Sequence, residues 1–172
     1  DIYYDSYYQE ATQSAQDGDY SAAQLALESL LVDKPDYKDA QEMLCSVWYQ
    51  PASQLIENEK YTEARYNLLD FLAGHSYCSN VMSLYLQSYA EQADSLITSK
   101  NFEALSVLIT EYVNSQSVLS VDESADETYQ NTLENLSNLL KNAHQEAIET
   151  NKWNEALNYA HLMEPILSGS GL

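Results

Sequence analysis

Aromatic residues recur along the chain at near-regular intervals, and each is followed three positions later by a small or apolar residue. The four pairs are Tyr20 and Ala23, Tyr61 and Ala64, Phe102 and Leu105, and Trp153 and Ala156. The aromatics lie 41, 41 and 51 residues apart, so four copies of one unit account for the 172 residues. A fixed period of about 20 to 50 residues is typical of arrays whose units stack to bury their apolar faces.

Apolar residues on both sides of each aromatic predict two helices per unit. In the first copy, Tyr7 and Ala11 precede Tyr20 at an interval of four, which places them on one face of a helix. Leu27 and Leu30 follow Tyr20 on a second apolar face, and most of the corresponding positions in the other copies are apolar as well. The pattern therefore predicts an all-α fold of about eight helices in four hairpins.

Short polar segments separate these predicted helices. Residues 17–19, 58–60, 100–101 and 151–152 are expected to form the turns inside the hairpins, where Gly and Asn tolerate a left-handed backbone. Residues 34–36, 74–76 and the longer stretch 114–124 are expected to link one hairpin to the next. The sequence thus predicts a single helical-repeat domain over 1–172, with repeats of about 1–35, 36–76, 77–120 and 121–172.

Two prolines conflict with this helical pattern. Pro51 falls inside the third predicted helix, where it removes the hydrogen bond to Val47, so we expect a kink there or a break near Tyr49 and Gln50. Pro165 is expected to end or bend the last helix near Glu164 for the same reason.

The charge balance excludes some classes of partner. The chain has 27 acidic and 7 basic residues and a net charge of −20, which repels nucleic-acid phosphates and anionic membrane surfaces. No apolar stretch is long enough to insert into a membrane. The charge favours a basic partner, or it serves only to keep the array soluble.

Composition and the start of the chain suggest where the protein resides. It contains 15 tyrosines, many Ser, Asn and Gln residues and few lysines, and it begins at Asp1 without a methionine. We expect an extracellular or cell-surface-anchored protein, of which this chain is a processed fragment without its signal or anchor.

The two cysteines have neither CxxC nor zinc-ligand spacing. Cys45 lies among apolar neighbours on a predicted helix, where a free buried thiol is expected. Cys78 follows near a turn one repeat later, and a disulfide that clips adjacent repeats is the alternative.

The repeat pattern resembles that of the tetratricopeptide repeat. The first copy matches it at Tyr7, Ala11, Gly18, Tyr20, Ala23, Leu27, Leu30 and Pro35, and the second at Trp48, Ala52, Glu59, Tyr61, Ala64, Leu68 and Phe71. In the later copies Leu105 and His144 replace small residues, and the terminal proline is missing. The 41-residue period exceeds the family's 34 residues and is similar to that of long variants in surface-anchored proteins of Gram-positive bacteria. The resemblance implies a right-handed α-α superhelix that acts as a scaffold and binds another protein.

The resemblance also implies a concave groove lined by the first helix of each hairpin. By position, its residues are Tyr8, Thr12, Gln16, Tyr49, Ser53, Glu57, Asp94, Thr98, Gln145 and Glu149. This face is acidic and rich in hydroxyl groups, and it lacks the Lys and Arg residues that hold a peptide carboxylate in chaperone-binding members of the family. A basic or polar protein or peptide would suit it better.

Two other functions stay open at this stage. One is a structural spacer arm with no ligand in its groove. The other is binding of cell-wall glycans through surface tyrosines such as Tyr3, Tyr4 and Tyr20. However, the four-residue spacing of Tyr3 and Tyr7, and of Tyr4 and Tyr8, also suits packing between neighbouring turns of one helix.

No catalytic motif is present. The chain has no nucleophile elbow, glycine-rich phosphate loop or HExxH sequence, and we expect a protein that is not an enzyme and has no cofactor. A metal site is not expected either, because His144, His161 and Glu164 lack a diagnostic spacing. The acidic residues Asp122, Glu123, Asp126 and Glu127 lack the EF-hand pattern and are expected to form a solvated loop.

Overall fold

The structure, a computed structural model, describes residues 2–115 and 123–169, with side chains for 2–115 and 127–167. Within these ranges the chain forms eight helices and no strand, which confirms the predicted all-α class. The helices are α1 (Ile2–Gln16), α2 (Tyr20–Asp33), α3 (Ala40–Glu57), α4 (Tyr61–Gly74), α5 (Ser79–Thr98), α6 (Phe102–Ser115), α7 (Glu123–Glu149) and α8 (Trp153–Gly169). Asn114 and Ser115 belong to α6, and the rest of the predicted third linker as far as residue 122 lies outside the described residues.

The four turns inside the hairpins have the same backbone geometry. A left-handed residue stands two positions before each repeat aromatic: Gly18 (φ 77°), Glu59 (φ 59°), Lys100 (φ 56°) and Asn151 (φ 57°). In every turn the N–H of this residue donates to the carbonyl three residues earlier, and the next N–H donates to the carbonyl five residues before it, at 2.8 to 3.2 Å. This pair of bonds is the Schellman motif that ends many helices. The four turns therefore share one backbone geometry, although their residues differ.

The second helix of each hairpin also begins in the same way. The carbonyl of the residue before the aromatic accepts a hydrogen bond from the N–H four positions later, that of Ala23, Ala64, Leu105 or Ala156, at 3.0 to 3.1 Å. This alanine or leucine is at most 4% exposed in all four copies. The exposure of the aromatic varies more, since Tyr20, Tyr61 and Phe102 are half-buried whereas Trp153 is 62% exposed. The burial of the residue three positions after the aromatic is thus more constant than the burial of the aromatic.

The chain divides into two compact units, residues 1–71 (unit 1) and 72–172 (unit 2). In unit 1, α1 packs on α2 and α2 on α3, around a core that includes Leu27, Leu30, Leu44 and Leu68. In unit 2, α5 packs on α6 and α7 on α8. The first helices of these two hairpins, α5 and α7, also pack together, and so do the second helices, α6 and α8. The organisation as one domain of four repeats stays a prediction.

The two prolines do not interrupt their helices. Pro51 lies inside α3 and Pro165 inside α8, so the predicted break near Tyr49 and the predicted end near Glu164 are wrong. At Pro51 a side chain from another helix replaces the missing donor. Gln24 of α2 donates its Nε2–H to the Val47 carbonyl, at 3.2 Å, and this is the carbonyl that residue 51 would otherwise engage. A buried carbonyl is therefore satisfied despite the proline.

This compensation predicts an energetic coupling between Gln24 and Pro51. We expect Gln24→Ala to lower the free energy of unfolding by about 1–2 kcal/mol, because it leaves the Val47 carbonyl without a donor. In a Pro51→Ala background the new N–H of residue 51 reaches that carbonyl, so the same substitution should cost less than about 0.5 kcal/mol. Urea denaturation of the four chains measures the coupling, and equal losses in both backgrounds would contradict it.

Candidate functional site

The residues predicted to line a groove are mostly exposed and in part bonded within their own helices. Tyr8, Thr12, Tyr49 and Ser53 are half-buried, and the exposed members are Gln16, Glu57, Asp94, Thr98, Gln145 and Glu149. Hydrogen bonds one helical turn apart run from Thr12 Oγ1 to the Tyr8 carbonyl (2.8 Å), from Ser53 Oγ to Glu57 (3.4 Å) and from Gln145 Nε2 to Glu149 (2.9 Å). A single groove formed by all ten residues stays a prediction.

Tyr8 packs against the segment that joins α2 to α3. Its hydroxyl donates to the Asp39 carboxylate, and Lys38 Nζ lies 4.4 Å from the centroid of its ring. The Tyr37 ring lies 6.0 Å away, centroid to centroid. Tyr8 is thus held by residues 37–39 of its own unit, which is the arrangement that the spacer alternative requires.

Asp5 fastens the same segment to α1. Its carboxylate accepts hydrogen bonds from Lys38 Nζ at 2.7 Å and from the Tyr37 hydroxyl at 2.6 Å. These two donors stabilise the charged form and lower the pKa of Asp5 to about 2. The neighbouring tyrosines pack on one another as their spacing suggested, with Tyr3 and Tyr7 edge to face at 5.1 Å. Much of the N-terminal tyrosine cluster therefore serves the internal structure of unit 1.

A cleft of about 500 Å³ opens elsewhere in unit 1, between the start of α2, the middle of α3 and α4. Its wall combines aromatic, carboxylate and amide side chains, of which the most relevant are Asp19, Tyr20, Trp48, Tyr66, Asn67 and Asp70. On α3 the cleft uses the face of Trp48, Ala52 and Leu55, which neighbours the face predicted to line the groove. This cleft was not predicted from the sequence.

Trp48 and Tyr66 are two of the aromatic residues that line the cleft, and Tyr66 presents an open apolar surface. The Trp48 indole stacks on Phe71, with centroids 4.6 Å apart and planes inclined by 18°. Its Nε1 is buried and finds no acceptor among the described residues. Such an unsatisfied donor costs about 1–3 kcal/mol. Tyr66 is 75% exposed, and its ring is therefore available for contact.

The cleft is negatively charged and nothing in the described chain neutralises it. Asp19 accepts a hydrogen bond from the Ala22 N–H at 3.1 Å, which caps α2. Within the described ranges, neither Asp19 nor Asp70 forms an ion pair. The described residues that line the cleft include no basic residue. Two carboxylates at the rim of a partly apolar cleft attract a cation.

Two clefts in unit 2 are less suited to binding a ligand. One of about 280 Å³ contains the ion pair between Lys100 Nζ and Glu155 Oε1, at 2.9 Å, which raises the pKa of Lys100. Another of about 360 Å³ lies between α7 and Ile166 and Leu167 of α8. Both lack the combination of open aromatic surface and unpaired carboxylates found in unit 1.

Two histidines of unit 2, His144 and His161, contact different groups. His144 Nδ1 lies 2.8 Å from the Ala156 carbonyl, and His161 Nδ1 lies 3.7 Å from Glu164 Oε1. Among the residues that the structure describes, no three His, Cys, Asp or Glu side chains are grouped as a metal site requires. The expected solvated loop is wrong for Glu123, Asp126 and Glu127, which belong to α7, and Asp122 lies outside the described residues.

Neither cysteine is a free thiol, because both Cys45 and Cys78 are disulfide-bonded. The expectation of a free buried thiol at Cys45 is therefore wrong. Both residues are buried, at 7% and 1% exposure, and burial protects a disulfide from reductants.

Comparison with known proteins does not extend the description of this site. No protein-family model, curated protein or solved structure matches the chain significantly. In the described ranges, no helix is long and apolar enough to cross a membrane.

Proposed function

We propose that the chain is a non-catalytic scaffold module that binds a partner protein through the cleft of unit 1. The cleft itself carries the proposal, because it joins the exposed Tyr66 ring and the Trp48 indole to two unpaired carboxylates. Tyrosine and tryptophan are the residues on which protein interfaces most often depend. The four equivalent hairpin turns support a tetratricopeptide-like right-handed stack as the framework.

We also propose that the module belongs to an exported or membrane-anchored bacterial protein. The disulfide-bonded state of Cys45 and Cys78 supports this location, since disulfides persist in oxidising compartments and are rare in the cytosol. The excess of acidic residues and the many tyrosines agree with an extracellular surface.

A spacer arm is the second candidate. It is favoured by the packing of the half-buried Tyr8 against residues 37–39 of its own unit. A spacer would have no use for an open aromatic and acidic cleft, so the cleft favours the binding module.

Site-specific photo-crosslinking tests the proposed function. A benzophenone amino acid replaces Tyr66 in the cleft, and in a matched control it replaces Val32, which is 81% exposed on α2 outside the cleft. Both chains are incubated with cell-envelope fractions and the adducts are identified by mass spectrometry. We expect a protein adduct from position 66 that is absent from position 32. Equal adducts, or none from two folded chains, would favour the spacer arm.

A further inference from the structure

We infer that the partner inserts a cationic side chain, that of arginine, into the cleft of unit 1. This inference rests on the proposed function and specifies the chemistry of the bound segment. The charge lies beside Asp19 and Asp70, the side-chain stem lies along Tyr66 and Trp48, and the peptide backbone runs along the rim.

The basic residues of unit 1 do not neutralise the carboxylates of the cleft. These four residues are Lys34, Lys38, Lys60 and Arg65, and each is used away from the cleft. Lys38 pairs with Asp5 at 2.7 Å, Lys60 with Glu63 at 3.6 Å, and Lys34 lies over the Tyr4 ring at 5.3 Å. Arg65 is buried and does not line the cleft. Asp19 and Asp70 are exposed to solvent, and a cationic ligand would meet no competing basic side chain of unit 1 in the cleft wall.

The aromatic wall of the cleft favours arginine over lysine. A guanidinium is planar, weakly hydrated and able to stack on an aromatic face while it donates to carboxylates. The exposed Tyr66 ring supplies that face, and Asp70, four residues later on α4, supplies a carboxylate on the same side of the helix. Lysine offers the charge without the planar fork, so arginine suits this wall better.

The carboxylates of the cleft do not suit a purely apolar ligand. A hydrocarbon would bury the two carboxylates without a counter-charge, which is unfavourable. A peptide that contains arginine carries that counter-charge. The cleft volume of about 500 Å³ lies within the range of small-ligand sites, which suits a short segment rather than a whole helix.

The test compares two peptides that differ in one side chain, which is cationic in one and neutral in the other. The probes are acetyl-Ser-Arg-Ser-amide and the same peptide with citrulline, which keeps the shape of arginine but is neutral. The full chain carries Trp153→Phe, so that the indole N–H resonance of Trp48 is the single reporter in a ¹H–¹⁵N spectrum. We expect the arginine peptide to bind at least tenfold more tightly than the citrulline peptide.

Two matched variants distinguish the effect of the carboxylate in the cleft from the effect of the total negative charge of the protein. Asp70→Asn should reduce the preference for arginine to within about twofold. Asp36→Asn removes the same charge from an exposed position outside the cleft and should leave the preference intact. Equal losses in the two variants, equal binding of the two peptides, or no shift up to roughly 10 mM peptide would overturn the inference.

The two proposals can fail independently. If crosslinking at position 66 captures a protein through a segment without arginine, the proposed function stands and this inference is wrong. If glycan fragments shift the Trp48 resonance and the peptides do not, the cleft binds sugar and both proposals fall. An arginine-dependent shift together with an adduct on an arginine-containing segment supports both.

Discussion

Tyr112→Ala is expected to lower the free energy of unfolding by about 3–5 kcal/mol, the range for removing a buried aromatic. Tyr112 is fully buried at the centre of unit 2. Its ring stacks on Tyr129 with centroids 4.8 Å apart and planes inclined by 3°, and the edge of Tyr89 meets it at 5.1 Å. Alanine at this position leaves a cavity between α5, α6 and α7, which the three helices cannot fill by small movements.

The Tyr112 hydroxyl accounts for a smaller part of this effect. It donates to the Tyr129 carbonyl at 2.6 Å, and burial raises the pKa of Tyr112 so that the donor keeps its proton at any ordinary pH. Tyr112→Phe removes this bond and keeps the stack, and it should cost about 1 kcal/mol. Urea denaturation followed by circular dichroism measures both variants. A loss below about 1 kcal/mol for Tyr112→Ala would show that the ring is not part of a packed core.

Much of the helical framework could be predicted from the sequence, because the spacing of apolar residues reflects local geometry. Residues at intervals of four share one face of a helix whatever lies beyond it. The positions seven and ten residues after each aromatic were predicted to lie on an apolar face, and in the first three copies they are buried, as at Leu27, Leu30 and Tyr112. In the fourth copy these positions, Ala160 and Met163, are only half-buried.

The turns show where local rules become insufficient. Gly18 and Asn151 are left-handed as the turn chemistry suggests, but the other two left-handed residues are Glu59 and Lys100. Their neighbours Asn58 and Asn101 looked better suited by type. The left-handed residue stands two positions before the repeat aromatic in all four turns, whatever its type, and composition does not reveal this register. Likewise, the pattern could not show that Gln24 replaces the donor lost at Pro51.

The cleft of unit 1 depends on contacts between distant parts of the chain, and this explains why it was missed. Asp19, Trp48 and Asp70 come from three helices and meet only in the folded unit. One signal was present, however. Tyr66 lies five positions after its repeat aromatic, outside the buried face, and it is nevertheless a large aromatic residue. A large aromatic residue on the solvent-facing side of an amphipathic helix indicates a binding surface. In this chain it indicates the cleft better than the groove residues assigned by family resemblance do.

Trp48→Ala is expected to lower the free energy of unfolding by about 3 kcal/mol, because it removes the ring that stacks on Phe71 and forms one wall of the cleft. Trp48→Phe should cost about 1 kcal/mol or less, since it keeps an aromatic stack and removes the unpaired Nε1 donor. Trp153→Ala is the matched control: that residue is 62% exposed, and its loss should stay within about 0.5 kcal/mol. Urea denaturation of the three variants measures the differences. If Trp48→Ala cost no more than Trp153→Ala, Trp48 would not be part of the packed core, and its ring would have to serve as a surface for ligand alone.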